Sequence, residues 1–392
     1  MALTSITTPS DYDIAYRPVL FEVETSVVDL EAVEFSLYDN TTSDLINSIT
    51  VQAKFGDDDN FQADMRTFIQ DYLRADIDII TPDETHFNSG LSIRDFYITA
   101  TEKILTSSGT FNDGDTLTSS GYWIVNSSLN VGDSGLVSQG FFNTVSGVVT
   151  PLLTDKEVFT TRDGESEYVC GFNNEENVRV EVVTTDTSGV MATGIVNSLT
   201  LGNQTCYLGI GYENINALTL DSGSQPLIDS QTSSYTVQFS TVTTGYDFTQ
   251  LSIEVDREYR LDPIRFVFQN NYGALDFFTC YAFKEQSIDI ESSVSQRPLV
   301  DYESITSYGK FRPNTSMNTR FRVGTQNITS DEINWLKQLF SSAGVWVQEG
   351  TKYRPVVLIT DSLLIESNLQ GNEVFNLQFE YEFANALRRQ KG

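Results

Sequence analysis

From Phe375 to Phe383, every second residue is an aromatic ring or a leucine. In the stretch VFNLQFEYEF, residues Phe375, Leu377, Phe379, Tyr381 and Phe383 alternate with Asn376, Gln378, Glu380 and Glu382. Successive side chains of a strand point to opposite faces, so one face of this segment packs and the other meets water or a partner. The same period of two recurs in VLFEVET, where Val19, Phe21 and Val23 oppose Leu20, Glu22 and Glu24. DFYITATEKI and SYTVQFSTV also read as strands. A chain patterned this way folds mainly as β-sheet.

A second β signal lies in IRFVFQNNYGALDFFTCYAF, which holds seven aromatic residues in twenty. Ile264, Phe266 and Phe268 alternate with Arg265, Val267 and Gln269. Asn270, Asn271, Tyr272 and Gly273 follow, and Asn and Gly tolerate positive φ. The segment predicts a hairpin turning at Gly273. Its second strand, with Phe277 and Phe278 on opposite faces, is expected to be covered on both sides, by a second sheet of the same chain or by another subunit.

Two segments carry helical spacing. Over about 59–73, Phe61, Met65, Phe68, Ile69 and Tyr72 recur at intervals of three and four, with Asp59 or Asn60 as the candidate cap. Over about 330–342, Ile333, Leu336, Leu339 and Phe340 form a stripe that also carries Trp335 nearby. Thr329 and Glu332 have capping-box spacing, and Gly344 is a candidate stop. The expected fold is therefore mainly β, with antiparallel β-sandwich domains and these two flanking helices. Composition suggests three parts. Residues 1–107 form a β domain with one helix. Residues 108–250, rich in Ser, Thr and Gly with turns such as NDGD, form an all-β middle domain or insertion. Residues 251–392 form a β domain with one helix and a basic tail.

Charge narrows the function classes. The chain has 392 residues, with 54 acids against 24 bases, a formal charge of −30. Such a surface repels phosphates, so neither nucleic acid nor an anionic membrane is expected as the main partner. No run of 18 apolar residues suggests a membrane span, and the first residues do not read as a signal peptide. The three cysteines, Cys170, Cys206 and Cys280, are too few and too scattered for a disulfide framework and read as free thiols of a reducing compartment. Arg388, Arg389 and Lys391 end the chain; they read either as a solvated terminus or as a tail that docks on a neighbouring copy.

Catalytic patterns are sparse. His86 is the single histidine, set in the polar stretch TPDETHFNSG, and reads as a loop residue. Asp57, Asp58 and Asp59 gather carboxylates, but the spacing does not fit an EF-hand and favours a helix N-terminus instead. LGIGYEN has Gly209 and Gly211 without the third glycine of a dinucleotide fingerprint. No catalytic residue, metal site or cofactor is expected.

Several separated pieces share a pattern. PIRFVFQNNYGALDFF preceded by DREYRLD, the opening YDIAYRPVLFEVETS, and the closing series SDEINWLKQLFSSAGVWV, YRPVVLITDS and VFNLQFEYEFANALRRQ resemble virion proteins of tailed bacteriophages. The pattern is associated with phages of Bacteroidetes hosts, including the crAss-like group, and covers about the first 30 and last 140 residues. The resemblance implies a non-enzymatic structural protein of the tail or head–tail connector. Such a protein is made in the bacterial cytoplasm, built into the virion and arranged as a symmetric ring. Its implied partners are copies of itself and other tail or connector proteins, with DNA passing through the lumen without specific binding and no membrane. Phe266, Phe268, Tyr272, Gly273, Phe277, Phe278, Trp335, Phe379, Tyr381, Arg388 and Arg389 are the candidate structural or interface residues. The alternative is a receptor- or glycan-binding fibre or baseplate protein presenting Tyr122, Trp123 and Tyr212.

Overall fold

A computed structural model describes residues 3–9, 12–26, 31–52, 60–73, 77, 86–89, 93–128, 153–173, 177–186, 191–200, 204–218, 227–241, 247–258, 263–296, 310–359 and 374–384. The chain is mainly β, and its sheets are predominantly antiparallel. It forms two compact units. The first comprises residues 1–257 together with 269–276, and the second comprises residues 258–268 and 277–392.

The first unit contains two sandwiches. In the N-terminal one, β1 (Leu3–Thr7), β3 (Leu20–Thr25) and β6 (Asn60–Asp64) make a small sheet in the order β1-β3-β6. The facing sheet runs β2 (Tyr12–Ile14), β10 (Tyr122–Val125), β8 (Ile93–Leu105), β4 (Ala32–Asp39), β5 (Leu45–Gln52), with β9 (Phe111–Thr118) pairing the far end of β8. Alternation decides the packing. Val19, Phe21 and Val23 are fully buried, as their spacing predicts, and meet Phe35, Leu37, Phe96 and Ile98 of the facing sheet in one core. The hairpin β8–β9 crosses residue 108, so the strands that follow this position complete the N-terminal sheet.

The predicted helix over 59–73 is shorter than its spacing suggests. Asn60–Asp64 is strand β6, paired with β3 through Phe21↔Ala63 and Val23↔Phe61, and only Arg66–Tyr72 is helical. Phe61 belongs to the helical stripe but also forms a period of two with Ala63, and pairing with β3 resolves the ambiguity toward sheet. The turn between them is held by Asp64, whose Oδ1 accepts the N–H groups of Val19 (3.1 Å) and Arg66 (2.9 Å). Asp59 and the Asp57–Asp59 cluster lie outside the described residues.

The second sandwich pairs the sheet β11 (Phe159–Thr161), β17 (Asp247–Val255), β16 (Thr232–Thr241), β13 (Asn177–Asp186), β14 (Met191–Thr200) with the sheet β12 (Tyr168–Asn173), β15 (Gln204–Gly209), β7 (His86–Ser89). Val180, Val182, Val237, Phe239 and Ile253 pack with Val169, Cys206 and Leu208 in one core. His86 is thus in a strand paired to Leu208, where a loop was expected, because β15 offers an edge to its segment. A five-residue helix, Tyr212–Asn216, follows LGIG. Gly211 is needed there because an added Cβ would sit 2.2 Å from the Glu167 backbone nitrogen, a close approach of two backbones with no nucleotide involved.

The second unit is one seven-stranded sheet backed by a helix. The order is β19 (Leu275–Cys280), β18 (Ile264–Gln269), β22 (Val345–Glu349), β23 (Lys352–Leu358), β24 (Val374–Phe383), β21 (Lys310–Thr329), β20 (Phe283–Gln296). The tip of the β18–β19 hairpin is part of the first unit. The helix Ser330–Ser341 begins where the sequence places it. Thr329 Oγ1 accepts from Glu332 N (3.3 Å), and Glu332 Oε2 accepts from Thr329 N (2.9 Å). Asp331 and Glu332 in the first turn add a favourable interaction with the helix dipole. Thr329→Ala is expected to cost about 1 kcal/mol, measured as a lowered denaturant midpoint with unchanged slope. The helix ends at Ser341, and Ser342 returns to extended backbone. Gly344 serves the strand after it: a Cβ there would lie 2.3 Å from the Trp346 ring.

Candidate interaction surface

The aromatic candidates converge on one core. Phe266 meets Phe379 at 5.1 Å between ring centroids and Tyr381 at 5.3 Å. Phe268 and Phe278 flank Trp335 at 5.6 and 6.0 Å. Phe266, Phe268, Trp335, Phe379 and Tyr381 are all buried in the second unit, and tilted or edge-on ring pairs suit the quadrupoles of these side chains. Phe277 is buried on the other side of its strand, where the Arg265 guanidinium sits 5.0 Å from its ring. The second strand of the hairpin is therefore packed on both faces, and other parts of the same chain cover it. The five buried rings hold the fold of this unit together, and Phe278 is partly buried against the same core.

Gly273 has φ +82°, the left-handed conformation its turn was predicted to need. Asn270 organises the turn: its Oδ1 accepts from Tyr272 N and Ala274 N, both at 3.0 Å, and its Nδ2 donates to Leu153 O at 2.7 Å. Tyr272 donates its hydroxyl to Asp155 at 2.5 Å. Arg388 and Arg389 lie outside the described residues.

Of the alternative glycan platform, Tyr122 is buried between Phe21 and Phe96, and Tyr212 packs against the core of the second sandwich. Trp123 lies in β10 of the other sandwich. The three do not form one exposed surface.

The three thiols are buried, and burial pushes all of them up, Cys206 to about 12. Since thiolate is the reactive form, a thiol reagent at pH 8 is expected to find none in the native protein and three after denaturation, counted by absorbance.

Among the described residues, an exposed apolar surface that sequence reasoning missed lies at the sheet edge. Strand β20 pairs over its length with β21, from Phe283↔Gly324 to Gln296↔Lys310. Strand β24 pairs β21 only from Arg320 onward, so Lys310–Thr319 has β20 as its one partner among the described strands. The two strands thus continue past the rest of the sheet as a ribbon. Every residue from Lys284 to Val294 is exposed, on both faces.

The ribbon's faces differ. Lys284, Gln286, Ile288 and Ile290 share one face with Phe321, Thr319 and Met317 across the register. Phe321 and Val323 of that face belong to the buried core. Farther out, the same face exposes Ile288 (49%), Ile290 (57%) and Met317 (49%). The opposite face is ionic: Arg320 pairs Asp289 at 3.0 Å and Arg322 pairs Glu285 at 3.5 Å. Pro313 falls where the register slips between Ser293 and Ser295, a position that tolerates a residue without an N–H. The sequence signal was the alternation SIDIE, diluted by polar residues on both sides.

Charge is divided between the units. The first holds 39 of the 54 acids and 10 of the 24 bases, for −29; the second holds 15 and 14, for −1. Strands β20 and β21 carry five bases against three acids.

Among the described residues no group of three or more His, Cys, Asp or Glu is arranged to hold a metal ion. Among them, too, no helix is long and apolar enough to cross a membrane.

No protein-family model matches the chain, and no curated protein does. Among solved structures, it aligns over 98% of its length, and 98% of the other chain, with a structure concerning host cell surface retention of a 1.5-MDa bacterial ice-binding adhesin, at 10% identity and a TM-score of 0.17. It aligns over 98% of its length with 31% of the full extracellular region of plexin A4, at 8% identity and a TM-score of 0.18. At these scores neither alignment defines a common fold.

Proposed function

We propose that this chain is a non-enzymatic structural protein that works by assembling with copies of itself, as a symmetric ring in the tail or head–tail connector of a tailed bacteriophage. The observation that carries self-assembly is the β20–β21 ribbon. It continues the apolar core face of its sheet into solvent, with Ile288, Ile290 and Met317 about half exposed. Contiguous apolar surface of this kind marks a contact site. The assignment to a tailed phage rests on the sequence resemblance of the opening and closing segments. On this reading the chain folds in the host cytoplasm and ends in the virion beside other tail or connector proteins. A lumen lined by an acidic protein lets DNA pass without specific binding.

The test is to purify particles of the phage that encodes the chain, quantify it by mass spectrometry and locate it by electron microscopy. The expected result is a fixed ratio to the other tail proteins and ring-shaped density at one level of the particle. Absence from mature particles, or turnover of a substrate by the isolated chain, would sink the proposal.

A further inference from the structure

We infer that the ribbon docks on the first unit of a second copy, at the end of the β8–β9 hairpin; this rests on the self-assembly reading above. The docking surface on that unit is itself a ribbon end with exposed apolar side chains. Leu105 (43% exposed) and Phe111 (48%) are direct cross-strand partners, and Ile104, half exposed, lies on the opposite face of the hairpin. On the face that Leu105 and Phe111 share, Lys103 is held by two carboxylates, Glu34 at 2.7 Å and Asp113 at 2.5 Å. One base against two acids leaves this patch negative.

Complementarity picks the occupant. Strands β20 and β21 carry a net +2 on a chain of net −30, and the unit bearing the patch carries −29. An apolar face on a ribbon of net positive charge therefore matches an apolar surface flanked by acids, and both occur on this chain. Ribbon-to-ribbon pairing would instead bring two elements of net positive charge together.

The two surfaces differ, so the contact is head-to-tail and propagates until a ring closes. Size supports closure. Ten residues of a two-stranded ribbon at about 3.4 Å each and about 10 Å across give a face of roughly 300 Å². That is well below the roughly 800 Å² per partner of a stable pair. A single contact of this area is weak, and it persists when a closed ring makes every copy hold two neighbours.

The experiment uses the full chain with a benzophenone-bearing amino acid at position 290, mixed with isotope-labelled parent chain. The mixture is irradiated at about 50 and about 500 mM salt. Mass spectrometry then separates links between copies from links within one. The expected result is inter-copy links to residues 101–118, falling about fivefold or more at the higher salt. In parallel, the variant I288D/I290D, altered only at exposed positions, is expected to keep the parent's melting temperature. By light scattering it should stay monomeric at concentrations where the parent associates. Links from position 290 to β20 or β21 of another copy, or to its own chain, overturn the inference while self-assembly stands. A parent that associates with I288D/I290D behaving identically does the same. A parent that stays monomeric at about 100 µM overturns both this inference and the self-assembly reading.

Discussion

Gly273→Val is expected to lower stability by about 3 kcal/mol or more, among the largest effects of any single substitution in this chain. Two independent penalties combine. A β-branched residue is strained at φ +82°. Apart from that strain, a Cβ at this position would lie 2.1 Å from the carbonyl oxygen of Asn126 and 2.7 Å from its carbonyl carbon. Those atoms are backbone, so no rotamer change relieves the overlap. Displacing the turn also loosens what it holds: Asn271 O accepts from Ser127 Oγ and Ser128 N, and the Leu275 N–H donates to the Tyr207 hydroxyl. Gly273→Ala separates the causes, since it carries the same overlap with less conformational strain. Thermal and denaturant unfolding of both variants provide the measurement. A valine variant as stable as the parent would mean that the turn does not approach Asn126.

Phe379→Asp is expected to abolish folding of the second unit. Phe379 is 2% exposed and touches Phe266 and Phe340, at 5.1 and 5.4 Å between centroids. Removing the ring costs about 3–5 kcal/mol, and leaving a carboxylate in its place costs several more. The sum is comparable to the entire stability of a typical domain, about 5–15 kcal/mol. The conservative Phe379→Leu should fold and lose about 1–3 kcal/mol. Limited proteolysis followed by mass spectrometry reads the outcome by position, with cleavage expected throughout 277–392 of the aspartate variant. Resistance equal to the parent would show that position 379 faces solvent.

These two positions were legible in the sequence for different reasons. Phe379 stands in a run of strict alternation, where burial of one face leaves a strong periodic record. Gly273 follows Asn-Asn-Tyr between two apolar strands, a pattern with few other solutions. Thr329 and Glu332 were equally readable because a capping box is made by residues three apart and needs no distant partner. The segment 59–73 was half legible. Its apolar spacing fitted a helix throughout, but the strand Asn60–Asp64 exists only because it pairs with Leu20–Thr25, about 40 residues earlier in the chain. Alternation marks the aromatic residues as packed, but whether a core or a subunit contact covers them depends on distant residues such as those that meet Phe278 and Trp335.

The ribbon left almost no trace in the sequence. Both of its faces meet water, so selection for a core never imposed a clean alternation on Phe283–Gln296. Its length, too, is invisible locally. Only the register to Lys310, across the chain segment between the two strands, shows that it continues beyond β24.

The division of charge has a practical corollary. On a positively charged chromatography matrix, a molecule with −29 on one unit and −1 on the other is held by its N-terminal portion alone. The salt needed to release the intact protein from such a matrix is therefore expected to follow the charge of the first unit, and neutralising acids of the second should change it little.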